Sequence, residues 1–118
     1  MKKHVVYIAG PMRGKPKFNF PLFNSVARQI RALGHTVINP AELDKAFGLD
    51  LTDVSQVTPE IVRSCVRRDV EALTHATLMV LLPGWQGSTG ATAERAVCGW
   101  MGVTVCTVEE FLEDPERW

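Results

Sequence analysis

With 118 residues the chain can build one hydrophobic core but not two, so residues 1–118 are expected to form a single domain. Its 13 basic and 13 acidic residues cancel, which argues against nucleic acid or an anionic membrane as the main partner and leaves a small molecule as the expected ligand. No apolar run approaches the roughly 20 residues that span a bilayer, and the run after Met1-Lys2-Lys3-His4 is too short for a signal peptide, so a cytoplasmic protein is expected.

Val5-Val6-Tyr7-Ile8-Ala9 is rich in β-branched and apolar residues on both faces, the mark of a buried parallel strand, and Gly10-Pro11 ends it. From Pro21 to Leu33 the apolar residues Leu22, Phe23, Val26, Ile30 and Leu33 recur at helical spacing, with Arg28, Gln29 and Arg31 opposite and Gly34 as the stop. His35 to Ile38 reads as a second strand, closed by Asn39-Pro40. The stretch from Ala41 to Val57 has no sustained period and reads as a long loop with one helical turn near Glu42 to Phe47, long enough to suggest a lid or a subunit contact. Thr58-Pro59-Glu60 starts a helix, with a hydroxyl cap, proline at the first position and an acid at the positive dipole end; it should reach Thr74. A third strand over Thr77 to Leu82, a helix from about Gly90 to Met101 and a short strand at Val103-Thr104-Val105 follow. Thr107 and Glu110 then form a capping box before a last short helix.

This alternation predicts an α/β fold: a doubly wound, flavodoxin- or Rossmann-like parallel sheet of four to five strands with helices on both faces. Ligands in such sheets bind beyond the carboxyl ends of the strands. That rule gathers the loops after the first strand (Gly10 to Asn19), the second (Asn39-Pro40) and the third (Pro83 to Thr89). Cys65, Cys98 and Cys106 are too few and too spread for a disulfide framework or zinc site and read as buried thiols. His4, His35 and His75 are equally scattered, so neither a metal nor a cofactor is expected.

The loop Gly10-Pro11-Met12-Arg13-Gly14-Lys15 is short, glycine-bearing and cationic; its amides can approach an anion and Arg13 can grip a phosphate, although the spacing is neither a P-loop nor a dinucleotide fingerprint. The second loop offers Ser88, Thr89 and the Gly90 amide at a helix N-terminus, where anions are stabilised. Glu94 falls in the first turn or so of that helix and should be ionised at neutral pH. An arbitrary glutamate there more often just complements the dipole, and Asp69 in Arg67-Arg68-Asp69 could equally be a solvated ion pair. As a pair, the two carboxylates can divide nucleophilic and acid–base work at a glycosidic centre. Tyr7 reads as core or as a site residue, Trp85 as a ligand or subunit contact, and Trp100 and Trp118 as structural.

Tyr7-Ile8-Ala9-Gly10-Pro11, Arg68-Asp69 and Gly90-Ala91-Thr92-Ala93-Glu94 together resemble the nucleoside 2-deoxyribosyltransferase-like superfamily, in order and over nearly the whole chain. Met12-Arg13-Gly14 and the register of Ser88, Gly90 and Glu94 are similar to its 2′-deoxynucleoside 5′-phosphate N-hydrolases. Asn19-Phe20-Pro21, Asn39-Pro40-Ala41-Glu42-Leu43 and Leu82-Pro83-Gly84-Trp85 look most like its DUF4406 group. The resemblance implies Glu94 as the nucleophile on the anomeric carbon, Asp69 as the acid for the departing base and Tyr7 as the residue that orients Glu94. The 5′-phosphate would lie among Gly10, Arg13, Gly14, Ser88 and Gly90, with Pro11, Met12, Asn39 and Trp85 also contacting substrate, no metal and no cofactor.

The pattern departs from the superfamily in three places: Ala91 directly follows Gly90, Arg95-Ala96 replaces a glycine and puts a charge near the site, and Thr77 stands where aspartate is common. No counterpart is evident for the C-terminal segment that completes a neighbour's site in the transferases. The expectation is therefore a homodimeric or larger homo-oligomeric hydrolase of a deoxynucleoside monophosphate or related nucleotide. The rivals are a base-exchanging deoxyribosyltransferase and a non-catalytic nucleotide-binding or sensing module.

Overall fold

The computed structural model describes residues 2–46 and 57–118. Four strands, β1 (Val5–Ala9), β2 (Thr36–Ile38), β3 (Leu78–Leu81) and β4 (Thr104–Thr107), form one all-parallel sheet in the order β2-β1-β3-β4. Among the described residues five α-helices flank it: α1 (Phe20–Ala32), α2 (Pro40–Ala46), α3 (Pro59–Leu73), α4 (Thr89–Met101) and α5 (Val108–Glu113). The α/β fold expected from the alternating pattern is the fold observed.

The sheet is apolar on both faces because side chains alternate along each strand. Val6 and Ile8 of β1, with Leu78 and Val80 of β3, pack on one face against Phe23, Val26 and Ile30 of α1 and Phe111 of α5. Tyr7 and Ala9, with Met79 and Leu81, face the other way onto Leu73 of α3 and Ala91 and Cys98 of α4. Strand order reverses at β1, since the chain goes outward to β2 and then returns to the far side of β1 to make β3. The loops leaving β1 and β3 therefore part company in opposite directions, and a crevice opens between them at the carboxyl end of the sheet.

The ends of the elements follow the expected chemistry. Thr58 Oγ1 accepts the Ile61 N–H at 3.3 Å at the start of α3. The Thr107–Glu110 capping box is complete, with both reciprocal bonds made, at 3.1 and 2.9 Å. The β2–α3 connection differs from its reading as a loop with a single turn: Pro40–Ala46 is a seven-residue helix. The cause is Asn39, whose Oδ1 accepts the Ala41 N–H at 3.0 Å while its carbonyl accepts from Glu42, with Pro40 pre-set for the first turn. The rest of the expected lid or subunit-contact segment, 47–56, lies outside the described residues.

One aromatic reading changes, and two histidines meet in the fold. Trp100, read as structural, is 90% exposed on α4, whereas Trp118 is partly buried against the α1 and α5 side of the core. His4 and His35, far apart in sequence, meet: the His4 backbone N–H donates to His35 Nδ1 at 3.0 Å. The His4 ring reaches Thr77 Oγ1 at 3.0 Å and the Trp118 carbonyl at 2.8 Å. Thr77 thus ties the head of β3 to β1 and to the C-terminal segment. Of the cysteines, Cys98 and Cys106 are buried as expected, but Cys65 is only partly so. Among the described residues, no helix is long and apolar enough to cross a membrane.

Candidate active site

The crevice at the strand-order reversal is a cleft of about 480 Å³, a size suited to a small organic ligand. Its floor is the end of β1, Ile8 and Ala9, and its rims are the loop Gly10 to Arg13 and the start of α4 from Gly87 to Ala91. A second hollow of about 420 Å³ between α1 and α2 is lined by Phe20, Arg28, Glu42 and Lys45. There Arg31 spends its guanidinium on Glu42, at 2.6 and 2.8 Å, and on the Val37 carbonyl, so that hollow is a packed ion pair remote from the paired carboxylates.

Glu94 and Asp69 both line the cleft. On α4 the sheet-facing stripe runs Ala91, Glu94, Cys98, so Glu94 occupies a position at which helical periodicity places an apolar residue. Directly beneath it Tyr7, fully buried in the central strand β1, donates its hydroxyl to Glu94 Oε2. Burial pushes the Glu94 carboxyl up to about 7, with a further upward push from the Asp69 charge, while the Tyr7 hydrogen bond pulls down. Burial and the nearby Glu94 charge hold the Tyr7 phenol well above its ordinary value, so it stays a donor.

The expectation of an ionised Glu94 at neutral pH is therefore corrected. Helix α4 begins at Thr89 and has no acid in its first turn, which places Glu94 in the second turn, where the dipole has largely faded. Desolvation dominates instead, and near pH 7 the group is poised between its two forms.

Asp69 sits on α3 against Arg68, whose Nε and Nη2 donate to Asp69 Oδ1 at 3.0 and 2.8 Å. The same Nη2 donates to Oδ1 of Asp44, a residue of α2 that is 3% exposed. Burial raises both carboxyls and Arg68 opposes that rise in each. Sequence reading missed Asp44 and Arg68 as site residues. No sequence signal marked Asp44, whose burial beside Pro40 and Ala41 shows only once α2 is formed.

Gly10, Pro11, Met12, Arg13, Ser88 and Gly90 all line the cleft, as expected of ligand-contacting residues. Their individual reasons differ from the sequence reading. Gly10 is required by packing, because a Cβ there would stand 2.7 Å from Leu82 Cβ. Ser88 Oγ is the α4 cap and accepts the Ala91 N–H at 3.1 Å. By helix geometry the N–H groups of Thr89 and Gly90 are left at the cleft rim, and a Cβ on Gly90 would meet nothing within 4 Å.

Three expected contacts fall outside the lining. Gly14 is exposed and serves a left-handed turn (φ 78°). Asn39 is buried and spends its side chain on Asn24 Oδ1, at 2.9 Å, and on the α2 cap. Trp85 packs on the α3 and α4 side of the core, with the Arg95 guanidinium over its ring at 5.4 Å. That contact also corrects the expected charge next to Glu94: Arg95 is exposed, held on Trp85, and does not line the cleft.

One wall of the cleft went unread in the sequence. Phe18 and Phe23, with Val62, Cys65 and Val66 on the same α3 that carries Asp69, supply an apolar surface to the cleft. Phe18 is held there by unusual backbone: Lys17, Phe18 and Asn19 all adopt left-handed φ of 52°, 52° and 61°. Asn19 Nδ2 anchors the turn to the Pro11 carbonyl at 2.9 Å. Such strain persists only where surrounding contacts over-determine it. The cleft thus combines a cationic and amide-rich rim, an apolar wall, and two carboxyls of unlike surroundings, an arrangement able to hold an anionic, partly apolar molecule against a nucleophile and a proton donor.

None of the curated proteins matches the chain. A family model described as a domain of unknown function, DUF4406, matches residues 4–107, a span that includes both strands of the crevice and every residue placed in the cleft above. The chain belongs to that family.

Proposed function

We propose that this protein is a member of the nucleoside 2-deoxyribosyltransferase-like superfamily that hydrolyses the N-glycosidic bond of a 2′-deoxynucleoside 5′-monophosphate or a related nucleotide. The observation that carries the reading is the Tyr7–Glu94 hydrogen bond: a desolvated carboxyl set on a buried phenol, at the mouth of a cleft that Asp69 shares. A solvated helix-end acid needs no such support.

In this mechanism an ionised Glu94 oxygen attacks the anomeric carbon as the bond to the base nitrogen breaks, and the bond's electron pair leaves with the base. Asp69 delivers a proton to that nitrogen. The oxocarbenium-like transition state is stabilised by the nearby carboxylate. Water, deprotonated by the Asp69 carboxylate, then opens the glycosyl ester, releasing the sugar phosphate and restoring Glu94. Tyr7 donates to Glu94 throughout and fixes which lone pair faces the sugar. Arg13 and the Thr89 and Gly90 amides suit the 5′-phosphate, and the Phe18 and Val62 wall suits the base.

The test is a panel of deoxynucleoside monophosphates incubated with the protein and assayed for free base by chromatography. Base release that is lost in Glu94→Ala supports the reading. No release from any substrate, or equal release by Glu94→Ala, overturns it. Stimulation by a second base would instead identify a transferase, and tight nucleotide binding without release a sensing module.

A further inference from the structure

Arg68 and Asp69 are neighbours on one helix, and side chains at adjacent helical positions point about 100° apart and do not ordinarily meet. Their contact is therefore no default of α3. The Arg68 side chain is drawn round by Asp44, which reaches it from α2 and binds the same Nη2 that holds Asp69. Asp44 is itself an oddity, because a carboxyl 3% exposed is costly to bury unless it is paired. Arg68 is the partner that makes it tolerable, and both hydrogens of Nη2 are spent, one on each aspartate.

We propose that Asp44 is a positioning residue of this site: by anchoring Arg68 across the cleft it sets the guanidinium edge against which the Asp69 carboxyl is oriented. Both bonds from Arg68 to Asp69 end on Oδ1. The guanidinium therefore grips one oxygen and turns the carboxyl so that Oδ2 is the oxygen presented away from it. The inference rests on the N-glycosidase reading for its kinetic consequence, though not for its geometry. Among the described residues, the charged and titratable groups around Asp69 include Arg68 and Cys65 on α3, Asp44 on α2, Glu94 on α4, Tyr7 on β1 and Arg13 on the first loop.

Asp44→Asn keeps an oxygen for Arg68 and removes the charge; Asp44→Ala removes both. In Asp44→Ala the turnover number for base release should fall roughly 10²-fold, the scale of a misplaced catalytic group, with KM little changed. Asp44→Asn should recover most of that loss. Carboxyl-carbon NMR supplies the readout that does not need turnover: both variants lose the Asp44 charge but only Asp44→Ala loses the anchor on Arg68, so Asp69 should titrate at higher pH in Asp44→Ala than in Asp44→Asn. A purely structural Asp44 would lower the melting temperature of both variants and leave Asp69 titrating alike in the two, which overturns the proposal, as does a folded Asp44→Ala with parental turnover. If the parent releases no base at all, the function reading fails by itself, and the NMR titration still decides whether Asp44 positions Asp69.

Discussion

Removing a single oxygen from Tyr7 tests the central geometry most directly. Tyr7→Phe keeps the ring in the middle of β1, between Ile38 and Met79, and deletes only the hydroxyl that donates to Glu94 Oε2. A hydrogen bond to a charged acceptor contributes about 1.5–3 kcal/mol, equivalent to roughly one to two pH units of carboxyl titration. Glu94 starts at about 7 with that bond in place, the bond being what pulls it down against burial. Without it the carboxyl should titrate roughly one to two pH units higher. About half of the parent is ionised at pH 7, against roughly a tenth to a hundredth of the variant, so base release at pH 7 should fall about 5- to 50-fold. The deficit should shrink steadily toward pH 9 as the variant's Glu94 ionises. The assay is the pH profile of kcat/KM alongside carboxyl-carbon NMR of Glu94, the second being independent of turnover. An ascending limb that stays where the parent has it, or moves to lower pH, would refute the claim that Tyr7 sets the charge of Glu94.

Three further outcomes follow from the same structure. Because the folded Glu94 titrates at about 7 and an ordinary glutamate at 4.5, the folded chain binds the extra proton; stability from this group is full below about pH 4.5 and lost as pH rises through 7. Glu94→Gln should therefore be more stable than the parent at pH 8 by about 3 kcal/mol, with the gap closing by pH 4.5, as read by denaturant melts. His35 behaves oppositely in pH: burial, then His4 and Lys3, lower its titration, so stability held above the ordinary 6.5 is lost as pH falls through that value toward the depressed one. His35→Leu should be less stable overall, since the His4 N–H loses its acceptor, yet show a flatter decline between pH 7 and 5. Gly10→Ala should cost about 1–3 kcal/mol through its clash with Leu82, while Gly87→Ala, with nothing near, should change thermal stability by under about 0.5 kcal/mol.

What the sequence shows well is what depends on local pattern. Strand β1, the α3 cap at Thr58 and the capping box at Thr107 are each encoded by consecutive residues, and each forms where read. The cleft is legible at one remove, because the strand-order rule brings the loops after β1 and β3 together without any contact being known. The missed parts are those in which a residue's role is set across the fold. Asp44 is an ordinary helix acid in sequence and becomes a buried anchor only when α2 lies over α3. Asn39 looks like a strand-end ligand contact, but its amide is committed to Asn24, fifteen positions away. Arg95 looks like an intruder beside Glu94, yet consecutive helical residues diverge, and Trp85 captures its guanidinium outside the cleft. Phe18 could not be read at all, because three consecutive left-handed residues without glycine contradict every local preference.

Burial raises both carboxyls of the cleft, but the groups that oppose it differ, and that bears on how the proposed reaction begins. Attack requires Glu94 without its proton and departure of the base requires Asp69 with one. In the unliganded site burial favours the proton on each, opposed by the Tyr7 hydrogen bond at Glu94 and by Arg68 at Asp69. Ionised Glu94 is thus held against its own desolvation, and substrate must tip the balance further toward it. A phosphate at the Thr89 and Gly90 amides would not do so, because its negative charge favours the proton on Glu94 still more. Positive charge developing on the sugar does: it stabilises ionised Glu94 where a resting substrate cannot. The interaction is therefore stronger in the transition state than in the ground state, which is the condition for raising turnover rather than merely tightening binding. On this argument the desolvation of Glu94 on its helix stripe is what lets the pocket hold a nucleophile half-protonated near pH 7 until the glycosidic bond begins to open.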